Sequence, residues 1–140
     1  MINPERGREI PLPYLEKART LKDKLLKEPC KVKLLHGDLH HYNILANEKG
    51  WLAIDPQGVV GEPAYEVALF IRNPIPELLD SSHGMQIISH RIRIFSHLLK
   101  IDEERIHQWC FVQAVLSWIW NLEDGLNPSY FKRLTAMLGK

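Results

Sequence analysis

The stretch His36-Gly37-Asp38-Leu39-His40-His41-Tyr42-Asn43, answered further on by Ile54-Asp55-Pro56-Gln57-Gly58, decides how this chain is read. Between them lie two short apolar runs, Ile44 to Ala46 and Trp51 to Ile54, joined by Asn47, Glu48, Lys49 and Gly50. Apolar runs around such a turn predict a β-hairpin. A hairpin folds its flanking loops back towards each other. Asp38, Asn43 and Asp55 lie on those loops, so three oxygen-bearing side chains are expected to face one solvent-accessible cleft.

Outward from the hairpin the chain turns helical. Upstream, Val32 to Leu35 is short and apolar and predicts a strand. Before it, Tyr14, Ala18, Leu21 and Leu25 recur at helical spacing over residues 14–28, and Pro29 ends the run. Downstream, Pro63 suits the first turn of a helix through Val67 and Leu69, stopped by Asn73 to Pro76. Met85, Ile88, Ile92, Phe95 and Leu99 mark another helix. A third starts near Asp102 with an acidic first turn that complements its dipole. It is apolar almost all round from Cys110 to Trp120, which predicts a place at the centre of the core. Gly125 stops it, and Asn127-Pro128 opens a last helix carrying Phe131, Leu134 and Leu138. The expected fold is α+β, mainly α, with a small β-hairpin, and residues 1–140 read as a single domain.

The bulk properties narrow the function. A formal net charge of +1 gives no electrostatic case for nucleic acid or an anionic membrane. Arg91 and Arg93 read as a solvated helix face. The run from Cys110 to Trp120 is far shorter than the roughly 20 residues that span a bilayer. Cys30 and Cys110 form no CxxC pair and read as free thiols of a cytoplasmic protein.

Two carboxylates and an amide on facing loops suit phosphoryl transfer. One carboxylate accepts the proton of the attacking hydroxyl, and oxygen ligands hold magnesium against nucleotide phosphates. His36-Gly37-Asp38, with Asn43 completing D-x-x-x-x-N, resembles the catalytic loop of the aminoglycoside phosphotransferases and related protein-kinase-like small-molecule kinases. The segment from Asp55 to Ala68 also resembles that family. Arg72-Asn73-Pro74 and Trp120 to Gly125 are similar to the streptomycin 6-kinase and hydroxyurea-resistance kinase branch. The resemblance implies the C-terminal lobe of a protein-kinase-like fold and ATP-dependent phosphorylation of a small-molecule hydroxyl, on a streptomycin-like aminoglycoside. It implies Asp38 as catalytic base, Asn43 and Asp55 as magnesium ligands that bind the nucleotide through the metal, and His36 as a residue shaping the loop.

The sequence departs from the pattern in places. Pro56-Gln57 replaces the Phe-Gly of protein kinases, so a static loop is expected. Glu62 and Glu66 stand where many relatives have Asp, and no catalytic role is assigned to them. The superfamily's nucleotide lobe, with its phosphate-covering loop and lysine, is expected to be absent. Lys17, Lys22, Lys24 and Lys27 read as the solvated face of a helix. A missing lobe would leave apolar surface near the hairpin and favour self-association.

Other readings stay open. The chain is alternatively a non-catalytic fragment or an assembly module of the same fold. His36, His40 and His41 with Asp38 suggest, more weakly, a transition-metal hydrolase. His83, His90 and His97 repeat every seven residues and read as a polar face. Trp109, Trp118 and Trp120 read as core. Glu123 and Asp124 either bind a cationic substrate or sit in solvent at a helix end.

Overall fold

The computed structural model describes residues 9–28 and 30–140. In chain order its elements are α1 (Leu12–Lys27), β1 (Lys33–Leu35), a 3-10 turn (His41–Asn43), β2 (Ile44–Asn47), β3 (Gly50–Ala53), β4 (Val59–Gly61), α2 (Pro63–Ile71), α3 (Glu77–Asp80), α4 (Gly84–Leu99), α5 (Glu103–Glu123) and α6 (Ser129–Leu138). The architecture is mainly α with two small antiparallel sheets, β1 with β4 and β2 with β3.

α5 is the axle of the molecule, and α1, α2, α4 and α6 all pack on it. Asp102 caps it, its side chain accepting from the Glu104 N–H at 3.3 Å. Ile106, Phe111, Val112, Ala114 and Val115 are each at most 1 % exposed, which only an encircled helix allows. Full burial of one aliphatic or Phe side chain contributes about 1.5–3 kcal/mol, so this helix carries much of the stability. Two of its buried polar residues, Gln113 and Ser117, four apart, meet the α2 segment. Gln113 Nε2 donates to Tyr65 O at 2.9 Å, and Ser117 Oγ accepts from Arg72 Nη1 at 2.5 Å.

A polar knot fastens α1, α2 and α5 beneath the strands. Glu62, 8 % exposed, takes Arg105 Nε and Nη2 at 2.7 and 2.8 Å and Trp109 Nε1 at 2.8 Å. Arg105 also bonds Glu28 and donates to Leu25 O at 3.1 Å. Its hydrogen bonds to Glu62 raise the Arg105 pKa further still.

Several expectations change in detail. The turn between β2 and β3 is tighter than the sequence suggests, because Asn47 pairs with Gly50 and leaves only Glu48 and Lys49 outside the ladder. Three elements come unannounced, the 3-10 turn, β4 and the four-residue α3. Arg91 is not on a solvated face: its Nη1 donates to Ile71 O at 3.0 Å and to Asn73 O, meeting the free carbonyls where α2 ends. Trp109 and Trp118 are core as expected, but Trp120 is 51 % exposed. Pro29, the expected stop of α1, lies outside the described residues. The four lysines of α1 and the three heptad-spaced histidines are exposed, and both cysteines are free thiols. Among the described residues no helix is long and apolar enough to cross a membrane.

Candidate active site

The expected loops are laced together through their main chains. β1 ends at Leu35, which pairs with Val59 of β4. The next residue, His36, accepts the N–H groups of Gln57 and Gly58 on its carbonyl at 2.6 and 3.3 Å. On the far side of the loop, Asn43 O accepts the Ile54 N–H at 2.8 Å. Asp55 is therefore held between two residues that are themselves pinned to the Asp38 loop.

His36 does the lacing with its ring as well. A carbonyl only accepts, so the 2.6 Å contact to Ile54 O makes Nε2 a donor. A main-chain N–H only donates, so the 3.1 Å contact from Asp38 N makes Nδ1 an acceptor. One neutral tautomer satisfies both, and it ties the Asp38 main chain to the residue before Asp55.

Gly37 explains why no larger residue stands before Asp38. Its φ is +89°, where side chains are strained, and a Cβ there would lie 2.8 Å from Val59 Cγ2. Its N–H is received by buried Glu66 of α2, at 3.1 and 3.3 Å to the two carboxylate oxygens. Sequence reading left Glu66 without a role. The available signal was a lone carboxylate in the otherwise apolar run from Ala64 to Ile71.

Asp38 and Asn43 meet. Asn43 Nδ2 donates to Asp38 O at 2.9 Å and lies 3.5 Å from Asp38 Oδ2. Asn43 is buried, whereas the Asp38 and Asp55 carboxylates are exposed. Asp55 has φ 55°, a left-handed backbone that in a non-glycine residue stores roughly 1–3 kcal/mol. Such strain is typical of positions where a site must aim a group. The donor set is one amide oxygen left over by the local network and one exposed carboxylate. Both are hard oxygen donors, and few of them, which fits magnesium bound chiefly through a nucleotide.

The three loop histidines do not gather around a common point. His36 bridges the loops, His40 Nδ1 lies 3.2 Å from Tyr42 N, and His41 stacks on Phe70 with ring centroids 4.6 Å apart. Burial, then Arg91 and His40, hold the His41 pKa below its ordinary value. Among the described residues no three His, Cys, Asp or Glu side chains form a metal-holding group. Glu123 and Asp124 are both exposed at the C-terminal end of α5, on a different element from the laced loops.

Comparison with known proteins shows the family. The family model described as aminoglycoside/hydroxyurea antibiotic resistance kinase matches residues 7–125. A streptomycin 3''-kinase of Klebsiella pneumoniae is 35% identical over 116 residues, 79% of this chain and 43% of the relative. A streptomycin 6-kinase of Streptomyces griseus is 30% identical over 67% of this chain and 31% of its own length. A hydroxyurea phosphotransferase of Kitasatospora aureofaciens is 33% identical over 66% of this chain and 25% of its own. The chain thus spans less than half the length of these curated relatives. No solved structure matches it. The α+β, mainly α arrangement is that of a kinase-like C-terminal lobe, and the chain belongs to the aminoglycoside/hydroxyurea antibiotic resistance kinase family.

Proposed function

We propose that this chain is the catalytic lobe of an ATP-dependent phosphotransferase acting on a hydroxyl of a small, streptomycin-like molecule. The observation that supports the reading is the main-chain lacing of the two loops on either side of Asp55, from Ile54 to Asn43 and from Gln57 and Gly58 to His36, with Asn43 bonded to Asp38. Asp38, exposed and anchored on both sides, orients the acceptor hydroxyl and takes its proton. Asn43 and Asp55 are the residues that would hold magnesium, which supplies charge compensation for the transferring phosphoryl group. Gly37, His36 and Glu66 keep Asp38 in place. Glu123 and Asp124 are proposed to receive the cationic part of the acceptor. Both are exposed carboxylates at the C-terminal end of α5, the charge type that a cationic group seeks.

Among the described residues no sheet and no glycine-rich loop precedes β1, so nucleotide cover is proposed to come from a separate lobe. The expected outcome is that the 140-residue chain folds but shows no appreciable ADP release with magnesium, ATP and aminoglycosides. Fused to the remainder of a streptomycin kinase it should turn over, and Asp38→Asn should then lower the rate by about 10²–10⁴. Unchanged turnover in Asp38→Asn places the base elsewhere.

A second reading, a non-catalytic assembly module, draws on the strands. Leu34, Val60 and Trp51 are 76 %, 70 % and 78 % exposed. A groove of about 330 Å³ lined by Leu26, Val32, Val60 and Tyr65 adjoins the β1–β4 sheet. Such apolar surface favours association with another chain or copy. A fusion that folds and binds nucleotide yet stays inactive with Asp38 intact would favour this reading, and sedimentation of the isolated chain reports the self-association.

A further inference from the structure

An asparagine side chain has two unlike ends, and only its oxygen can hold a cation. Which end of Asn43 faces the cleft is decided around its nitrogen. Nδ2 lies 2.9 Å from Asp38 O, 3.2 Å from His40 Nε2 and 3.5 Å from Asp38 Oδ2. Reversing the amide would set two carbonyl oxygens against each other at 2.9 Å with no proton between them. The Asp38 carbonyl takes one N–H, and His40 Nε2 is the nearer acceptor for the other.

The His40 ring faces a conflict. A neutral imidazole has one nitrogen lone pair. Yet its Nε2 faces the Asn43 amide, and its Nδ1 faces the Tyr42 N–H at 3.2 Å, at the head of the 3-10 turn. One of these contacts is a hydrogen bond and the other only an approach. Burial decides between them. Asn43 is 8 % exposed, where an unmet N–H finds no water, while Tyr42 is 70 % exposed. Asp38 Oδ2 competes for the same amide proton, but at 3.5 Å it is the longer contact, against 3.2 Å for His40 Nε2.

We propose that His40 is a positioning residue: its Nε2 lone pair and the Asp38 carbonyl together take the amide protons of Asn43 and turn its oxygen towards the cleft. The inference rests on Asn43 as a cation ligand and adds a residue outside the trio of Asp38, Asn43 and Asp55.

Three variants of the full chain separate this role from simple capping of the turn. His40→Gln keeps an acceptor near the place of Nε2, His40→Asn keeps one near Nδ1 only, and His40→Ala keeps neither. The first measurement needs no cation. The Asn43 side-chain amide, followed by nitrogen-edited NMR, should show two resolved, slowly exchanging protons in the parent and in His40→Gln. That protection should be lost in His40→Asn and His40→Ala. The second is manganese binding by electron paramagnetic resonance. Outer-shell partners typically change metal affinity about 10–100-fold, and that weakening is expected for Asn and Ala but not for Gln. The proposal is overturned if His40→Asn behaves as the parent while His40→Gln loses protection, or if all three keep it. Should His40→Ala fail to fold, the Gln and Asn pair decides alone. Protection in the expected order with no manganese binding in any chain upholds the positioning of Asn43 and refutes instead the cation site under the proposed function.

Discussion

Glu62 and Glu66 stand one helical turn apart at the head of α2, and they hold together two regions built on different principles. Glu62 is caught in a fork by Arg105, receives the Trp109 N–H, and through Arg105 reaches Glu28 and Leu25 O. That region is a mesh of side chains on three helices, with several bonds per group. Glu66 receives a single main-chain N–H, that of Gly37. The loop region it steadies is otherwise laced by backbone groups and one neutral ring. The helical knot is built to resist unfolding. The loop clasp is built to fix a direction, and it depends on a residue with no side chain.

The strongest way to break the comparison is Arg105→Ala. It leaves Glu62 buried and uncompensated, which in such pairs is destabilising by about 3–5 kcal/mol. Urea or thermal denaturation should show that loss, and Arg105→Lys should restore little of it because lysine lacks the planar fork. A loss within the range of an exposed surface pair would mean the knot is ornamental.

Gly37→Ala should come next. The strained φ and the 2.8 Å approach to Val59 together predict about 1–3 kcal/mol. Hydrogen exchange should quicken around residues 36–43 and 54–58 while the α5 amides change little. An even loss across the whole chain would show that the two regions are not separable.

Glu66→Gln sharpens the contrast. It keeps an acceptor but removes the charge, so stability should fall by only about 1 kcal/mol, the difference between charged and neutral hydrogen bonds. The Gly37 amide proton should move upfield as its bond weakens. Were this variant as unstable as Arg105→Ala, the division of labour between the two glutamates would not hold.

The smallest effect is expected from pH. Burial first, then Arg91 and His40, lower the His41 pKa from 6.5; burial and Lys17 do the same for His107 against the pull of Glu104. A histidine with a depressed folded-state pKa binds its proton more readily when unfolded. Its contribution is complete above pH 6.5 and is lost as pH falls from there towards the folded-state value. His41→Phe should flatten the acid limb of a stability profile taken between pH 7.5 and 5, and the double variant with His107→Gln should flatten it further.

What the sequence could show depended on how local the cause was. The hairpin and the Asp38-to-Asn43 motif were legible because their partners lie within a few residues and announce themselves through Gly50 and the D-x-x-x-x-N spacing. β4 was not, because Val59-Val60-Gly61 becomes a strand only by pairing with Lys33 to Leu35, more than twenty residues earlier. Arg91 looked solvated because helical spacing cannot reveal the carbonyls at the end of α2. Trp120 was misplaced for a related reason: a helix apolar all round offers no stripe by which to tell its outward face. Within the site, the residue types were readable and His36 was assigned to the loop, but the pairing of Gly37 with Glu66 was not legible. Gly37 and Glu66 meet across 29 positions of sequence.

The Arg105 fork has a consequence for how such a protein can change over generations. It grips the chain at Leu25 and Glu28 on one side and at Glu62 on the other, so everything between them leaves and returns through one gate. Lengthening a loop closed in this way is penalised only logarithmically, by roughly 0.6 kcal/mol for each doubling. Insertions at the Glu48-Lys49 turn, and new residues along the exposed strand faces, therefore leave the helical body nearly untouched. Heritable variation at that turn and on those exposed faces is insulated from variation in whether the chain folds, and a lineage can explore the first without risking the second.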